Sequence, residues 1–125
     1  MKTNERQNNM THLSPNLDER KKMIEEITVE WIEDGEMRVK QLSKRILSRG
    51  SWATIAFKFQ ELDPKTKQYR RPKMGVRRYR WNKGQYKYQS KFNISGVKQL
   101  MEIMEFGSDC FYDEVETFAK TGVQS

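Results

Sequence analysis

The sequence predicts an α+β domain in which a four- or five-stranded antiparallel meander sheet precedes one C-terminal helix that packs on one face of the sheet. Three observations predict this fold. Residues 52–62 alternate apolar and polar side chains, as a half-buried strand does. Glycine-containing turns separate this run from similar neighbouring runs. Residues 95–106 then place apolar side chains at helical spacing.

The N-terminal part of the chain contains a polar lead-in followed by a hairpin signal. Residues 1–24 are rich in polar side chains, and we expect them to be disordered or partly helical. Apolar residues then alternate at period two from Ile27 to Trp31, and Asp34-Gly35 follows them. This order favours a hairpin across Asp34-Gly35.

The centre of the chain predicts four successive strands. Residues 37–48 read as a basic strand, and the alternating strand at 52–62 comes next. A cationic loop at 63–72 leads into a second hairpin, which is formed by residues 73–81 and 85–94. The strands are expected to pair in chain order, as an antiparallel meander.

The C-terminal part predicts a single helix and an acidic tail. Ser95 is expected to cap the helix and Gly107 to end it. Leu100 and Met104 would face the sheet and complete its core. The domain therefore spans residues 25–107, and residues 108–125 form an acidic tail.

Charge is distributed very unevenly along the chain. Residues 37–92 contain seventeen Arg and Lys but only two acids, whereas the remaining residues contain seven bases and fifteen acids. A block of like charge repels itself on folding, so a polyanion that neutralises it is a more natural explanation than a merely solvated basic surface.

The turn at residues 82–84 decides which side chains share a face of the second hairpin, because successive strand residues point to opposite faces. A two-residue loop at Asn82-Lys83 would set Tyr79 opposite Tyr86 and make Tyr79 and Trp81 core aromatics. A three-residue loop with Gly84 in the left-handed conformation sets Tyr79 opposite Lys87, and the glycine at the third position favours this loop.

The three-residue loop predicts one sheet face that combines aromatic rings with cations, and it leaves Arg78 and Arg80 at the margin of the core side. Bases stack on aromatic rings with about 1–3 kcal/mol each, and Lys and Arg neutralise phosphates. Duplexes hide their base faces, so exposed rings favour unpaired strands. The candidate residues for nucleic-acid binding are Trp52, Lys58, Arg77, Tyr79, Trp81, Lys87 and Lys91.

The segment TIAFKFQELDPKTKQYRRPKMGV at 54–76 combines an alternating basic strand, an Asp-Pro loop, and a Pro, a Lys and a Gly that introduce the next strand. The residues that carry these features are Ile55-Ala56-Phe57-Lys58, Asp63-Pro64, Pro72, Lys73 and Gly75. Together with the Ser-led helix in KFNISGVKQL, this pattern resembles the positive-cofactor-four family of transcriptional coactivators over residues 40–106. Plant whirly-type domains share similar features.

The resemblance implies a curved four-stranded sheet, a helix-mediated homodimer, and binding of single-stranded DNA on the sheet surface. It also implies that Lys58 and Lys73 lie near the nucleic acid. The strand at 85–94 departs from the family's pattern, in which the chain goes directly to its helix.

The sequence offers little for catalysis. His12 is the only histidine and Cys110 the only cysteine, so neither a Cys–His nucleophile pair nor a Cys/His metal site is expected. A carboxylate nuclease site at Glu61 and Asp63 is disfavoured, because Asp63-Pro64 starts a turn. We therefore expect a protein that is not an enzyme and has no cofactor.

The sequence as a whole predicts a protein that binds single-stranded DNA, and the family resemblance implies that it is a homodimer. An RNA-binding protein remains an alternative, and so does an interaction adaptor whose basic face docks an acidic protein. The unpaired cysteine and the polar N-terminus, which contains no apolar run, indicate an intracellular protein without a membrane span.

Overall fold

A computed structural model describes residues 16–122, which form a five-stranded antiparallel sheet and three helices. The α+β class is confirmed, and the strands lie in the sheet in chain order, as a meander requires. Residues 1–15, including His12, lie outside the described residues. The elements are α1 (Leu17–Glu26), β1 (Trp31–Glu33), β2 (Glu36–Ser48), β3 (Trp52–Glu61), β4 (Lys73–Asn82), β5 (Gln85–Ile94), α2 (Val97–Cys110) and α3 (Tyr112–Thr121).

Helix α1 begins at a capping box. The Asn16 side chain accepts a hydrogen bond from the Glu19 backbone N–H at 2.8 Å, and the Asn16 N–H donates to Glu19 Oε1 at 3.0 Å. This reciprocal pair satisfies two backbone donors that would otherwise lack partners. The helix buries Ile24, which is 1% exposed, and the chain then enters the sheet.

The first hairpin turns at Asp34-Gly35, as predicted. Asp34 and Gly35 have φ values of 52° and 78°, and Glu33 pairs with Glu36 across the turn. Positive φ at both loop residues is typical of the type I′ turn, whose twist matches that of the paired strands.

One face of the sheet, here termed the core face, carries the buried residues of β3. Ala53, Ile55, Phe57 and Phe59 are each 3% exposed or less. They form one cluster with Ile24, Val29 and Tyr79. The alternation of β3 read from the sequence is therefore confirmed.

The chain divides into two compact units, of which the first ends at Asn93 and the second begins at Ile94. In the second unit, α2 is preceded by Gly96 and continues through Gly107 to Cys110, so Gly107 does not end the helix. No residue of α2 or α3 within the described part is buried.

Helix α1 contributes Ile24 to the core cluster of the first unit, and Val29 joins it from the segment that follows the helix. The expectation that Leu100 and Met104 face the sheet stays a prediction.

Candidate nucleic-acid interface

The register between β3 and β4 fixes which residues of β4 face the core. Tyr79 pairs with Ala53, and Arg77 pairs with Ile55. Directly paired residues lie on the same face of a sheet. Tyr79 accordingly lies on the core face and is only 7% exposed.

Trp81 follows Tyr79 at period two and shares its face. The prediction that Arg77, Tyr79 and Trp81 lie on one face with Trp52 and Lys58 is therefore wrong.

The cause is the turn between β4 and β5. Lys83 and Gly84 form a two-residue loop with φ values of 52° and 87°, which are typical of a type I′ turn. The three-residue loop is thus wrong, and the two-residue loop lies one residue later than Asn82-Lys83, since Lys83 adopts the left-handed conformation together with Gly84. A slip of one residue moves every side chain of a strand to the opposite face.

Ring contacts show the same register. The centroids of Trp81 and Tyr86 lie 5.0 Å apart, and those of Tyr79 and Tyr88 lie 6.1 Å apart, both with edge-to-face geometry. Tyr86 and Tyr88 therefore lie on the core face. Lys87, between them, points to the other face.

Trp81 is partly covered by α1. The guanidinium carbon of Arg20 lies 4.5 Å from the centroid of the Trp81 ring. On the neighbouring strand, the Tyr86 hydroxyl donates to the Gly50 carbonyl at 2.6 Å. Both rings thus have roles within the fold, and the geometry does not support Trp81 as a stacking surface.

The opposite side of the sheet, here termed the open face, carries the other alternate residues. Trp52 pairs with Arg80, and Lys58 pairs with Met74. Arg45 of β2 lies beside Ala56 and thus on the same face. Trp52 and Lys58 are exposed, as the sequence predicted.

Two arginines contact the single ring that β3 and β4 present on the open face. The guanidinium carbons of Arg78 and Arg80 lie 4.3 Å and 5.2 Å from the centroid of the Trp52 ring, which is 37% exposed. Both arginines are exposed. The expectation that they sit on the core side is therefore wrong.

Lys87 extends this cluster across the sheet. The two-residue loop at Lys83-Gly84 sets Arg80 opposite Lys87, and Arg80 pairs with Trp52 on its other side. Trp52, Arg80 and Lys87 thus form a row that crosses three neighbouring strands. Strands lie about 4.8 Å apart, so the row spans about 10 Å.

Most cations of the open face lack acidic partners. Within residues 16–122, no Asp or Glu lies within ion-pair distance of five of them, which are Arg45, Lys58, Arg78, Arg80 and Lys87, whereas Arg38 of β2 contacts Glu36 at 3.4 Å. Elsewhere several cations are paired. Arg49 contacts Glu25 at 3.0 Å, for example.

Lys73 is among the paired cations. It lies opposite Phe59 on the core face, and its ammonium group contacts Glu61 Oε1 at 2.6 Å. The placement near nucleic acid that the family resemblance implies for Lys73 therefore has no support from this geometry. Lys91 is exposed on β5 and has no acidic partner in the described part of the chain.

The sequence pattern does not predict three of the open-face cations, which are Arg45, Arg78 and Arg80. Two irregularities in the β2–β3 pairing, at Gln41/Ser43 and Ile46/Ser48, interrupt the alternation that would have identified Arg45. For Arg78 and Arg80, the available signal was the Lys83-Gly84 pair, because Gly at the second loop position suits a type I′ turn.

The carboxylate considered for a nuclease site has a local structural role. Asp63 Oδ1 accepts hydrogen bonds from the backbone N–H groups of Lys65 and Thr66, at 2.8 Å and 3.3 Å. These bonds lower the pKa of the Asp63 carboxyl. They hold the turn that the sequence predicted at this position.

Within residues 16–122, no group of three or more His, Cys, Asp or Glu side chains is placed to hold a metal ion. None of the helices in this range has the length and apolar character needed to cross a membrane.

No protein-family model, curated protein or solved structure matches the chain. The resemblance to the positive-cofactor-four family therefore stays a prediction, as does the homodimer that it implies.

Proposed function

We propose that the open face binds single-stranded nucleic acid and that the protein acts by binding without catalysing a reaction. The observation that carries this proposal is the set of unpaired cations around Trp52. Five basic side chains share one face of a small sheet with an exposed indole ring, and none of them has an acidic partner in the described part of the chain.

Phosphate binding accounts for the cations. A paired cation such as Arg49 would have to leave its carboxylate before it could bind a phosphate, whereas Lys58 and Arg80 need only lose water and counterions. Release of condensed counterions from the nucleic acid then favours binding. The open face thus offers a polyanion several cations that are not held by carboxylates.

Base stacking accounts for the tryptophan. A base that stacks on Trp52 would displace one guanidinium from the indole or stack on that guanidinium in turn, since both groups have flat faces. Bases in a duplex are already stacked on each other, so this contact favours an unpaired strand. The resemblance to the positive-cofactor-four family makes DNA the ligand to test first.

Sequence preference is expected to be weak. Phosphate contacts carry no base identity, and every base has a face that can stack.

The test is a salt titration of binding to a fluorescently labelled oligothymidylate. We expect log affinity to fall linearly with log salt concentration, with a slope of about −0.7 for each phosphate that is neutralised. Lys58→Gln removes one open-face charge and should weaken the slope by about 0.7. Lys22→Gln is the matched control, since it removes an exposed lysine from α1, the helix on the core face.

Three results would contradict the proposal: no binding at low salt, binding without salt dependence, or equal effects of the two substitutions. Matched RNA and duplex competitors identify the preferred ligand. Tighter binding to RNA of the same sequence would replace DNA by RNA as the ligand. Partners that survive nuclease treatment during co-purification, without any oligonucleotide binding, would favour the adaptor function.

A further inference from the structure

The core face has an exposed aromatic group at its β5 margin, away from α1. Tyr88 is 50% exposed, although it lies on the same face as the buried Tyr79. Its neighbour at period two, Tyr86, contacts Trp81, which Arg20 of α1 covers. The core face is thus covered by α1 near Trp81, and half of Tyr88 remains accessible to solvent.

The position of the Tyr88 ring is fixed from two sides. Its edge-to-face contact with Tyr79 joins it to the core, with ring centroids 6.1 Å apart. The guanidinium carbon of Arg77 lies 5.6 Å from its centroid. Arg77 has no acidic partner among residues 16–122. A ring and a cation are therefore held together before any ligand arrives.

The Tyr88–Arg77 pair is separated from the open face only by the width of β5. β5 is the outer strand of the sheet, and Lys87, the residue before Tyr88, points to the open face. A nucleic-acid strand that passes Lys87 on the open face and continues around the outer edge of β5 would reach Tyr88 next. A base and its phosphate supply the flat face and the negative charge that Tyr88 and Arg77 would bind.

We propose that a single strand bound to the open face continues around the edge of β5 and stacks a base on Tyr88, with Arg77 contacting the adjoining phosphate. This inference rests on the proposed function and extends it, because the ligand contacts both faces of the sheet. It defines a binding site for a longer strand than the open face alone would hold.

The test compares oligothymidylates of about 4 and about 16 nucleotides, which span the range of sites on small single-strand-binding domains. In Tyr88→Ser we expect affinity for the long oligomer to fall by about 5- to 150-fold, the loss of one stacked base, with the short oligomer unaffected. Tyr88→Phe keeps the ring and should bind both oligomers as the wild type does. Tyr112→Ser, at an exposed tyrosine of the second compact unit, is the matched control.

Several outcomes would overturn the inference. A Tyr88→Ser variant that binds both oligomers as the wild type does, or that loses affinity for both equally, would exclude a contact specific to long strands. Should Tyr88→Ser fail to fold, photocrosslinking of the wild type to a long oligomer with 5-bromouracil at its ends decides the question. A crosslink at Tyr88 supports the inference, and crosslinks confined to the open face reject it. If the wild type binds no oligomer, the proposed function also fails, whereas salt-dependent binding that ignores Tyr88 leaves the proposed function standing.

Discussion

The guanidinium carbon of Arg78 lies 4.3 Å from the centroid of the Trp52 ring. This contact joins β4 to β3 on the open face, and no acid in the described part of the chain competes for the cation. A guanidinium held against an indole is preorganised, so it loses less side-chain freedom when it binds a phosphate. The pair therefore provides both contacts expected for an unpaired nucleotide.

Removal of either open-face arginine should reduce the salt dependence of binding. We expect Arg78→Gln and Arg80→Gln each to weaken the log–log slope by about 0.7, since each removes one phosphate contact. Arg49→Gln is the control, because Arg49 is already paired with Glu25 at 3.0 Å. Salt titrations of oligothymidylate binding measure all three. If Arg49→Gln weakens the slope as much as the other two substitutions do, the effect reflects net charge alone.

Tryptophan fluorescence should distinguish the two faces of the sheet. Stacking on Trp52 is expected to quench its emission, so Trp52→Phe should lose the quenching on titration with oligothymidylate. Trp31→Phe should retain the quenching, because Trp31 lies on β1, at the edge of the sheet opposite to β5. Quenching that survives in Trp52→Phe would exclude the open face as the stacking surface.

Trp81→Ala should act on stability. Trp81 is partly buried beneath Arg20 and beside Tyr86, so its loss removes packing contacts. We expect a loss toward the lower end of the roughly 3–5 kcal/mol found for large aromatic truncations. Urea denaturation measures the change. Unchanged stability combined with weakened binding would show that Trp81 belongs to the binding surface.

The parts of the fold that local pattern determines were predictable. The alternation from Ala53 to Phe59 identified β3, and Asp34-Gly35 identified the first hairpin, because each signal depends on a few adjacent residues. The function class follows from the charge distribution, which does not depend on register, and it stays a prediction.

The composition of the site depended on a single residue in one turn. Whether the loop contains two or three residues decides if Tyr79 faces Ala53 or the solvent, and local preference for glycine allows both. Packing decides between them: Tyr79 fills the space beside the small Ala53, and Arg78 then reaches Trp52. Such a contact between strands is not visible in a single hairpin's sequence.

A side chain at Gly75 should destabilise the protein. A Cβ atom at this position would lie 2.5 Å from Asn93 Oδ1 and 3.2 Å from Phe59 Cε1. Because overpacking usually costs about 1–3 kcal/mol, Gly75→Ala should destabilise the protein within that range. The clash with Asn93 should be relieved in an Asn93→Ala background, so Gly75→Ala should cost less there. Equal costs in the two backgrounds, measured by urea denaturation, would contradict this contact.

Lys44 should stabilise the end of α1. Its ammonium group donates to the carbonyls of Ile24, Glu25 and Ile27 at 3.1, 2.7 and 2.6 Å. A cation at a helix C-terminus also interacts favourably with the helix dipole. Lys44→Met should therefore lower stability by about 1–3 kcal/mol, the usual cost of polar groups left without partners. Lys22→Met, at an exposed position of α1, should change stability little, and an equal loss in both variants would refute the capping role.

Tyr79 should make stability depend on pH in alkaline solution. Burial raises the pKa of its phenol above the ordinary value of 10.0, and the nearby charge of Arg77 partly opposes the shift. As pH rises through about 10, the unfolded state loses this proton before the folded state does, so the free energy of unfolding falls. That contribution is fully present below pH 10 and is lost as pH rises through the folded pKa.

Tyr79→Phe should remove this contribution, which approaches about 1.4 kcal/mol per pH unit while only the unfolded phenol is ionised. Urea denaturation between neutral and strongly alkaline pH gives the two stability curves, with Tyr112→Phe as an exposed control. The free energy of unfolding of the wild type should fall relative to that of Tyr79→Phe as pH rises, whatever their offset at neutral pH. Parallel curves would mean that Tyr79 is accessible to water, which would contradict its assignment to the core face.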